Sequence, residues 1–144
     1  MDYGMGPAKH FRDLLAWQSA YKLTLRIYAT ANSFPQSEMY GLTSQIKRAI
    51  VSVTSNIAEG FGRRSSKEKD QFYAMAHASL TEVENQLIIA KGVGYIDTAE
   101  LEEIMVIVNE SHNCSTAYVG LTKTSHRLGL RILQSLVSNY IPQI

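Results

Sequence analysis

Apolar residues recur every three or four positions in four long segments of this sequence, and only short breaks separate one segment from the next. This spacing gathers apolar side chains on one face of an α-helix. Because helices joined by short connections run antiparallel to their neighbours, the pattern predicts an all-α fold, an antiparallel up-down-up-down four-helix bundle over residues 11–125. At 144 residues the chain is long enough for one such domain and too short for two.

The breaks between the segments contain start and stop signals for helices. Pro35 restricts Phe34 to extended backbone, so the first helix is predicted to end just before this pair. The second helix is predicted to begin within residues 37–41. It is predicted to end at Gly60 and Gly62, which we expect in the left-handed conformation.

Two capping signals mark the third and fourth helices. Ser65 and Glu68 form a capping box, in which the serine hydroxyl accepts from a backbone amide and the glutamate reaches back. The glycine-containing turn at 92–94 ends the third helix. Asp97 is predicted to cap the fourth helix.

The same spacing predicts which side chains form the core. In the first helix the apolar stripe consists of Leu14, Trp17, Tyr21, Thr24, Tyr28 and Ala31, widened by Ala16, Ala20, Leu23 and Ile27. In the second helix it consists of Leu42, Ile46, Ala49 or Ile50, Val53 and Ile57. In the third and fourth helices it consists of Tyr73, Ala76, Leu80, Val83, Leu87 and Ala90, and of Leu101, Ile104, Val108, Ser111, Ser115 and Tyr118 or Val119.

The two ends of the chain lie outside the four segments. Residues 1–10 contain two glycines and a proline and are expected to be a flexible N-terminal segment. Residues 126–144 form a C-terminal tail, whose apolar residues again have helical spacing. Because an unpacked tail would expose this apolar surface, we expect a short fifth helix that packs on its own bundle or on a neighbour.

Composition excludes several classes of protein. Hydrophobic residues make up 45% of the chain and charged residues 19%, as in soluble globular proteins. No apolar run approaches the ~18 residues of a membrane span, and the first residues lack the apolar centre of a secretory signal. The single cysteine, Cys114, cannot form an intrachain disulfide, which agrees with a reducing compartment. We therefore expect a cytoplasmic protein without a membrane partner.

Charge is unevenly distributed, although the net charge is only +1. Residues 22–69 contain eight basic and three acidic residues, whereas residues 97–110 contain five acidic residues and no basic one. This asymmetry fits a face that binds polyanions, or opposite patches that meet in self-assembly.

The best candidate for a binding site is the turn between the second and third helices, residues 60–67. It combines the guanidinium groups of Arg63 and Arg64 with the ammonium group of Lys67 and with free amides at the start of a helix. These groups suit contact with RNA or DNA phosphates, and Lys47 and Arg48 are expected to help. The alternative is a basic turn that is merely solvated.

Residues for catalysis or metal binding lack the required spacing. None of the nine glutamates is followed by histidine three positions later, as a carboxylate-bridged site in a bundle needs. Nucleophile and phosphate-loop motifs are also absent. His77 and His112 border the apolar stripes of the third and fourth helices, so a pair across these helices is conceivable. Hydrogen-bonded core or boundary histidines are favoured over such a pair. We therefore predict no enzyme, no cofactor and no metal; a bundle enzyme or metal protein is the weakest alternative.

Three motifs resemble one protein family. They are Trp17, the sequence Ser-Val-Thr-Ser-Asn-Ile-Ala-Glu-Gly at 52–60 and the sequence Ser-Leu-Thr-Glu-Val-Glu at 79–84. Together they resemble the four-helix-bundle proteins encoded in bacterial 23S rRNA intervening sequences. The resemblance implies a ring-like homopentamer, as in the related accessory proteins of diversity-generating retroelements. It further implies a helper of nucleic acid or of a protein partner, such as a reverse transcriptase, rather than an enzyme.

Asn56, Glu59 and Gly60 belong to the 52–60 motif and lie beside the predicted helix seam. Asn56 is expected to bridge polar groups across helices, and Glu59 to pair with Arg63 four residues on. We interpret these residues as specifying the bundle rather than as binding or catalytic groups. The predicted function is that of a non-enzymatic homo-oligomer with RNA or DNA affinity. A protein-partner adaptor without nucleic-acid binding is the alternative.

Overall fold

A computed structural model describes the backbone of residues 8–123 and the side chains of residues 8–115. It contains four α-helices: α1 (Leu15–Ala31), α2 (Leu42–Gly62), α3 (Ser66–Gly92) and α4 (Thr98–Lys123). Short 3₁₀ turns precede α1 and α2. No strand occurs in the described region, so the all-α prediction is confirmed. The predicted fifth helix and most of the predicted flexible N-terminal segment lie outside the described residues.

Each helix packs against its neighbours in the sequence, and α1 also packs against α4. Within residues 8–123 no diagonal pair of helices is in close contact. This ring of four helices with short connections is the predicted up-down-up-down bundle. None of the helices described is both long enough and apolar enough to cross a membrane.

Local signals set most helix boundaries as predicted. Ser65 Oγ accepts from the Glu68 N–H at 3.2 Å at the start of α3, and Asp97 Oδ1 accepts from the Glu100 N–H at 2.8 Å at the start of α4. The start of α2 differs slightly, because residues 36–38 form a 3₁₀ turn and the helix begins at Leu42.

The predicted left-handed end of α2 is wrong. Gly94, after α3, is the one described residue with a positive φ, 83°. Gly60 is instead a buried residue inside α2, where a methyl group would lie 2.7 Å from Cε1 of Tyr73 and 3.0 Å from Cβ of Phe72. Glycine is therefore needed at position 60 because α3 approaches α2 closely, and not because of backbone conformation.

The residues predicted for the core from α2, α3 and α4 are buried, apart from Leu42 and Leu101, which are half-buried. Tyr118 and Val119 lie beyond the described side chains. In α1 the buried face follows the residues predicted to widen the stripe rather than the centre of the stripe. It is formed by Ala16, Ala20, Leu23, Ile27, Thr30 and Ala31. Tyr21 and Tyr28, predicted as members of the stripe, are 46% and 40% exposed. Two adjacent apolar lanes run along α1, and the one with smaller side chains faces the core.

Candidate functional site

The predicted binding turn lies at one end of the bundle, where residues 63–65 connect α2 to α3. Lys69, one turn into α3, donates from Nζ to the carbonyl oxygen of Phe61 at 2.8 Å and to that of Gly60 at 3.4 Å. The last carbonyls of a helix have no partner within the helix and carry partial negative charge. Lys69 thus caps α2, a role that was not predicted from the sequence, because Lys69 lies seven positions after the helix end and reaches it only through the packing of α3 on α2.

Arg63 is already engaged inside the chain. Its guanidinium group pairs with the Glu59 carboxylate one helical turn earlier, as predicted. The same group lies over the Phe72 ring, 4.5 Å from the ring centroid. These two contacts hold Arg63 against the α2–α3 seam and leave only part of its donor fork for an external anion.

Arg64 and Lys67 are both exposed to solvent. Neither side chain makes a hydrogen bond or an ion pair with any residue in the described part of the chain. They lie within three residues of each other, at the N-terminal end of α3, where backbone amides also face outward. Arg64 and Lys67 are therefore the uncompensated cations of the turn.

Lys47 and Arg48 do not join this turn. Sixteen positions separate Lys47 on α2 from Arg63, which directly follows this helix, and this corresponds to about 24 Å along the helix axis. Lys47 Nζ donates to Asn32 Oδ1 at 3.1 Å, and both predicted cations line an open groove of about 600 Å³ beside Tyr28. The five predicted contact residues thus form two separate surfaces.

The acidic start of α4 is engaged by α1. Arg26 Nη2 lies 3.4 Å from carboxylate oxygens of both Glu100 and Glu103. Lys22 Nζ lies 3.8 Å from Glu110 Oε2. Two of the eight basic residues noted in the sequence therefore meet three of the five acidic ones within one chain, along the α1–α4 seam.

Asn56 supports a hydrogen-bond chain that joins α2 to α3. Its amide donates to the carbonyl oxygen of Ser52 at 2.8 Å and to Ser52 Oγ at 3.0 Å. Ser52 Oγ in turn lies 2.9 Å from Ser79 Oγ on α3. Asn56 acts across the helices only through Ser52. Glu59, predicted beside the seam, has a 54% exposed side chain and lies outside it.

Two histidines meet between α3 and α4. His112 Nδ1 lies 3.2 Å from His77 Nε2, and His112 Nε2 lies 3.4 Å from Glu84 Oε2. Burial, followed by the neighbouring His77, lowers the pKa of His112, and Glu84 opposes this shift. Within residues 8–115, no group of three or more His, Cys, Asp or Glu side chains is arranged around a metal position. The two side chains therefore form the cross-helix pair that the sequence left as the less favoured alternative.

An apolar strip follows the outside of α1, and we call it the outer α1 face; Trp17 in it is half-buried and packs against the core, and its other members are exposed. It consists of Trp17, Tyr21, Leu25 and Tyr28, which lie on one side of the helix. The rings of Trp17 and Tyr21 stack with centroids 5.1 Å apart, and Leu25 is 56% exposed. Sequence periodicity did not identify this surface because it assigned three of its members to the core.

Comparison with known proteins identifies a family and similar solved structures. The family model described as 23S rRNA-intervening sequence protein matches residues 12–117, well over half of the chain. No curated protein matches the sequence. Among solved structures, the chain is similar to a protein of unknown function from the S23 ribosomal protein family of Bacteroides thetaiotaomicron. The TM-score is 0.64 at 20% identity, over 76% of this chain and 99% of that one, and at this identity the similarity shows the fold alone.

Proposed function

The chain belongs to the 23S rRNA-intervening sequence protein family, and on this premise we propose that it is a non-enzymatic, cytoplasmic homo-oligomer that binds RNA or DNA through the turn between α2 and α3. The observation that carries the proposal is the exposed, uncompensated pair Arg64 and Lys67. Most neighbouring cations are engaged: Arg63 by Glu59 and Lys69 by the end of α2. Two free cations beside outward-facing amides suit phosphate groups.

Self-association is part of the proposal because one copy of this turn is a weak site. With a net charge of +1, the chain exerts little long-range attraction on a polyanion. Several turns held at one end of an oligomer would neutralise several phosphates together. We propose a pentamer, following the family that the sequence resembles. The outer α1 face supports self-association because it leaves Tyr21, Leu25 and Tyr28 in solvent in a single chain.

Binding of this type reads phosphates rather than bases. The turn offers charged groups and backbone amides, which contact the nucleic-acid backbone and carry no sequence information. Affinity should therefore fall steeply as salt rises, since each neutralised phosphate releases counterions. Structured RNAs of unrelated sequence should bind with similar affinity.

A fluorescence titration of labelled structured RNA at several salt concentrations tests the turn. We expect Arg64→Ala/Lys67→Ala to lose most of the affinity and to reduce the salt dependence. Lys47→Ala/Arg48→Ala removes the same formal charge at a surface about 24 Å away along α2 and is the matched control. Absence of binding at low salt would refute nucleic-acid contact. Equal losses in the two double variants would assign binding to general charge and not to the turn.

Light scattering at micromolar concentration tests the oligomer. We expect the mass of a pentamer, and we expect Leu25→Asp to lower it because an acidic group would be placed on the outer α1 face. Val106→Asp on α4 changes a residue of similar exposure, 58% against 56%, and should leave the mass unchanged. A monomer mass that does not depend on concentration would contradict the proposal.

The outer α1 face also favours a second candidate function, an adaptor for a protein partner such as a reverse transcriptase, without nucleic-acid binding. Tyr side chains such as the exposed Tyr21 and Tyr28 are typical anchors of protein interfaces. A stable monomer that fails to bind RNA but forms a complex with such a partner would support this function. In that complex, Leu25→Asp should weaken binding and Arg64→Ala/Lys67→Ala should not.

A further inference from the structure

The imidazole rings of His77 on α3 and His112 on α4 meet at the seam between these helices. We propose that His77 and His112 bind a borderline divalent transition-metal ion, with Zn²⁺ as the reference, and that this ion links α3 to α4. The ligating atoms are His77 Nε2 and His112 Nδ1, which lie 3.2 Å apart. This site is independent of the nucleic-acid binding proposed above.

The nitrogen separation matches the edge of a tetrahedral metal site. Zinc lies about 2.0–2.1 Å from histidine nitrogen, so two such ligands on one tetrahedral ion lie about 3.3 Å apart. The two rings are inclined at 62° with centroids 4.6 Å apart, so they meet edge to face rather than stack. A proton joins the same two nitrogens at this distance when no ion is bound, and the ion would therefore replace a proton without large helix movement.

Glu84 prepares His112 for this role. Its Oε2 atom faces His112 Nε2 at 3.4 Å, on the opposite side of the ring from His77. A carboxylate beside one ring nitrogen favours the tautomer with the proton on that nitrogen, so the other nitrogen, His112 Nδ1, is unprotonated and can accept from His77 or bind an ion. His77 and Glu84 are seven residues apart on α3 and share the helix face that meets α4. The carboxylate thus orients the ligand without touching the ion.

The site is open to solvent through His77, which is exposed. The described side chains supply two protein ligands and no third, so water would complete the coordination. Imidazole ligands select Zn²⁺, Cu²⁺ or Ni²⁺ over Mg²⁺ and Ca²⁺, which prefer oxygen. Because the two ligands are close together only in the folded bundle, a bound ion should stabilise the fold.

Thermal melts of the full chain, first freed of metal with a chelator, test the proposal. We expect ZnCl₂ to raise Tm progressively with concentration, and MgCl₂ to leave it unchanged. His77→Ala should abolish the increase, and because this side chain is exposed the variant should still fold. Glu84→Gln should weaken zinc affinity about tenfold or more through its effect on His112. His10→Ala is the matched control and should respond like the original chain.

Absorption of added Co²⁺ gives an independent measurement of the same site. Tetrahedral coordination should produce visible bands in the original chain and in His10→Ala but not in His77→Ala. Two outcomes would overturn the proposal: no effect of Zn²⁺ on Tm, or an effect that survives in His77→Ala. The first would leave only a hydrogen-bonded pair, and the second would place the ion elsewhere.

Discussion

The sharpest stability prediction concerns Gly60→Ala at the α2–α3 seam. An added Cβ would lie 2.7 Å from Cε1 of Tyr73, and the Tyr73 ring is only 5% exposed, so it has little room to move. Forcing an extra carbon into a packed seam costs about 1–3 kcal/mol. Replacing glycine by alanine inside a helix recovers about 1 kcal/mol. We therefore expect a net loss of about 0–2 kcal/mol.

Gly62→Ala is the matched control at the end of the same helix. A Cβ at position 62 meets no atom within 4 Å, and the residue has no positive φ. This variant should be neutral or gain up to about 1 kcal/mol from the lower entropy of the unfolded chain. The difference between the two variants isolates the packing effect and should be about 1–3 kcal/mol.

Thermal and chemical denaturation at one fixed protein concentration measure this difference. For a chain of this size 1 kcal/mol corresponds to about 4 °C, so Gly60→Ala should melt about 4–12 °C below Gly62→Ala. Equal melting temperatures would refute the close-approach explanation. A larger substitution, Gly60→Val, should melt lower still.

Two further predictions concern side chains near α2. Asn56→Ala removes both hydrogen bonds to Ser52 and should lower the free energy of unfolding by about 1–2 kcal/mol in denaturant melts. Glu59→Ala removes an exposed ion pair and should change the free energy of unfolding by less than about 0.5 kcal/mol. Equal losses in the two variants would contradict these roles. A hydrogen bond from the Leu42 backbone N–H, and to a smaller extent one from a tyrosine hydroxyl, lowers the pKa of Glu38 from its ordinary 4.5. The stabilising contribution of the Glu38 carboxylate is therefore fully present above pH 4.5 and is lost as pH falls through the lower folded-state pKa. Glu38→Gln should therefore melt below the original chain at pH 7. The difference in Tm should narrow as the pH falls below 4.5 and vanish below the folded-state pKa. A difference that does not depend on pH would exclude the carboxylate charge.

Helix identity and boundaries could be predicted because their causes are local. The Ser65 and Asp97 caps depend on residues three positions away, and the predicted bonds are present at both sites. All apolar core residues of α3 were predicted because their spacing of three and four positions gathers them on one helix face, although the buried Gln86 was not. In these segments the nearest neighbours in sequence already decide the conformation.

The candidate site was predicted less well because its properties depend on contacts between distant residues. Five cations were assigned to one surface by composition, yet Lys47 lies near the far end of α2 and Arg63 is held by Glu59 and Phe72. Only Arg64 and Lys67 remain uncompensated at the turn. A count of charges does not indicate which of them already has a partner.

The sequence by itself determined an all-α bundle, the number and order of the described helices and most of their ends, since helical period and capping act over three or four residues. The tertiary structure decided which apolar face of α1 is buried and why position 60 is glycine. It also decided that Asn56 reaches α3 through Ser52, and that two histidines 35 residues apart meet at 3.2 Å. These features arise where two helices touch. Their spacing depends on side-chain volume at the contact, and a periodic pattern along one chain contains no measure of that distance.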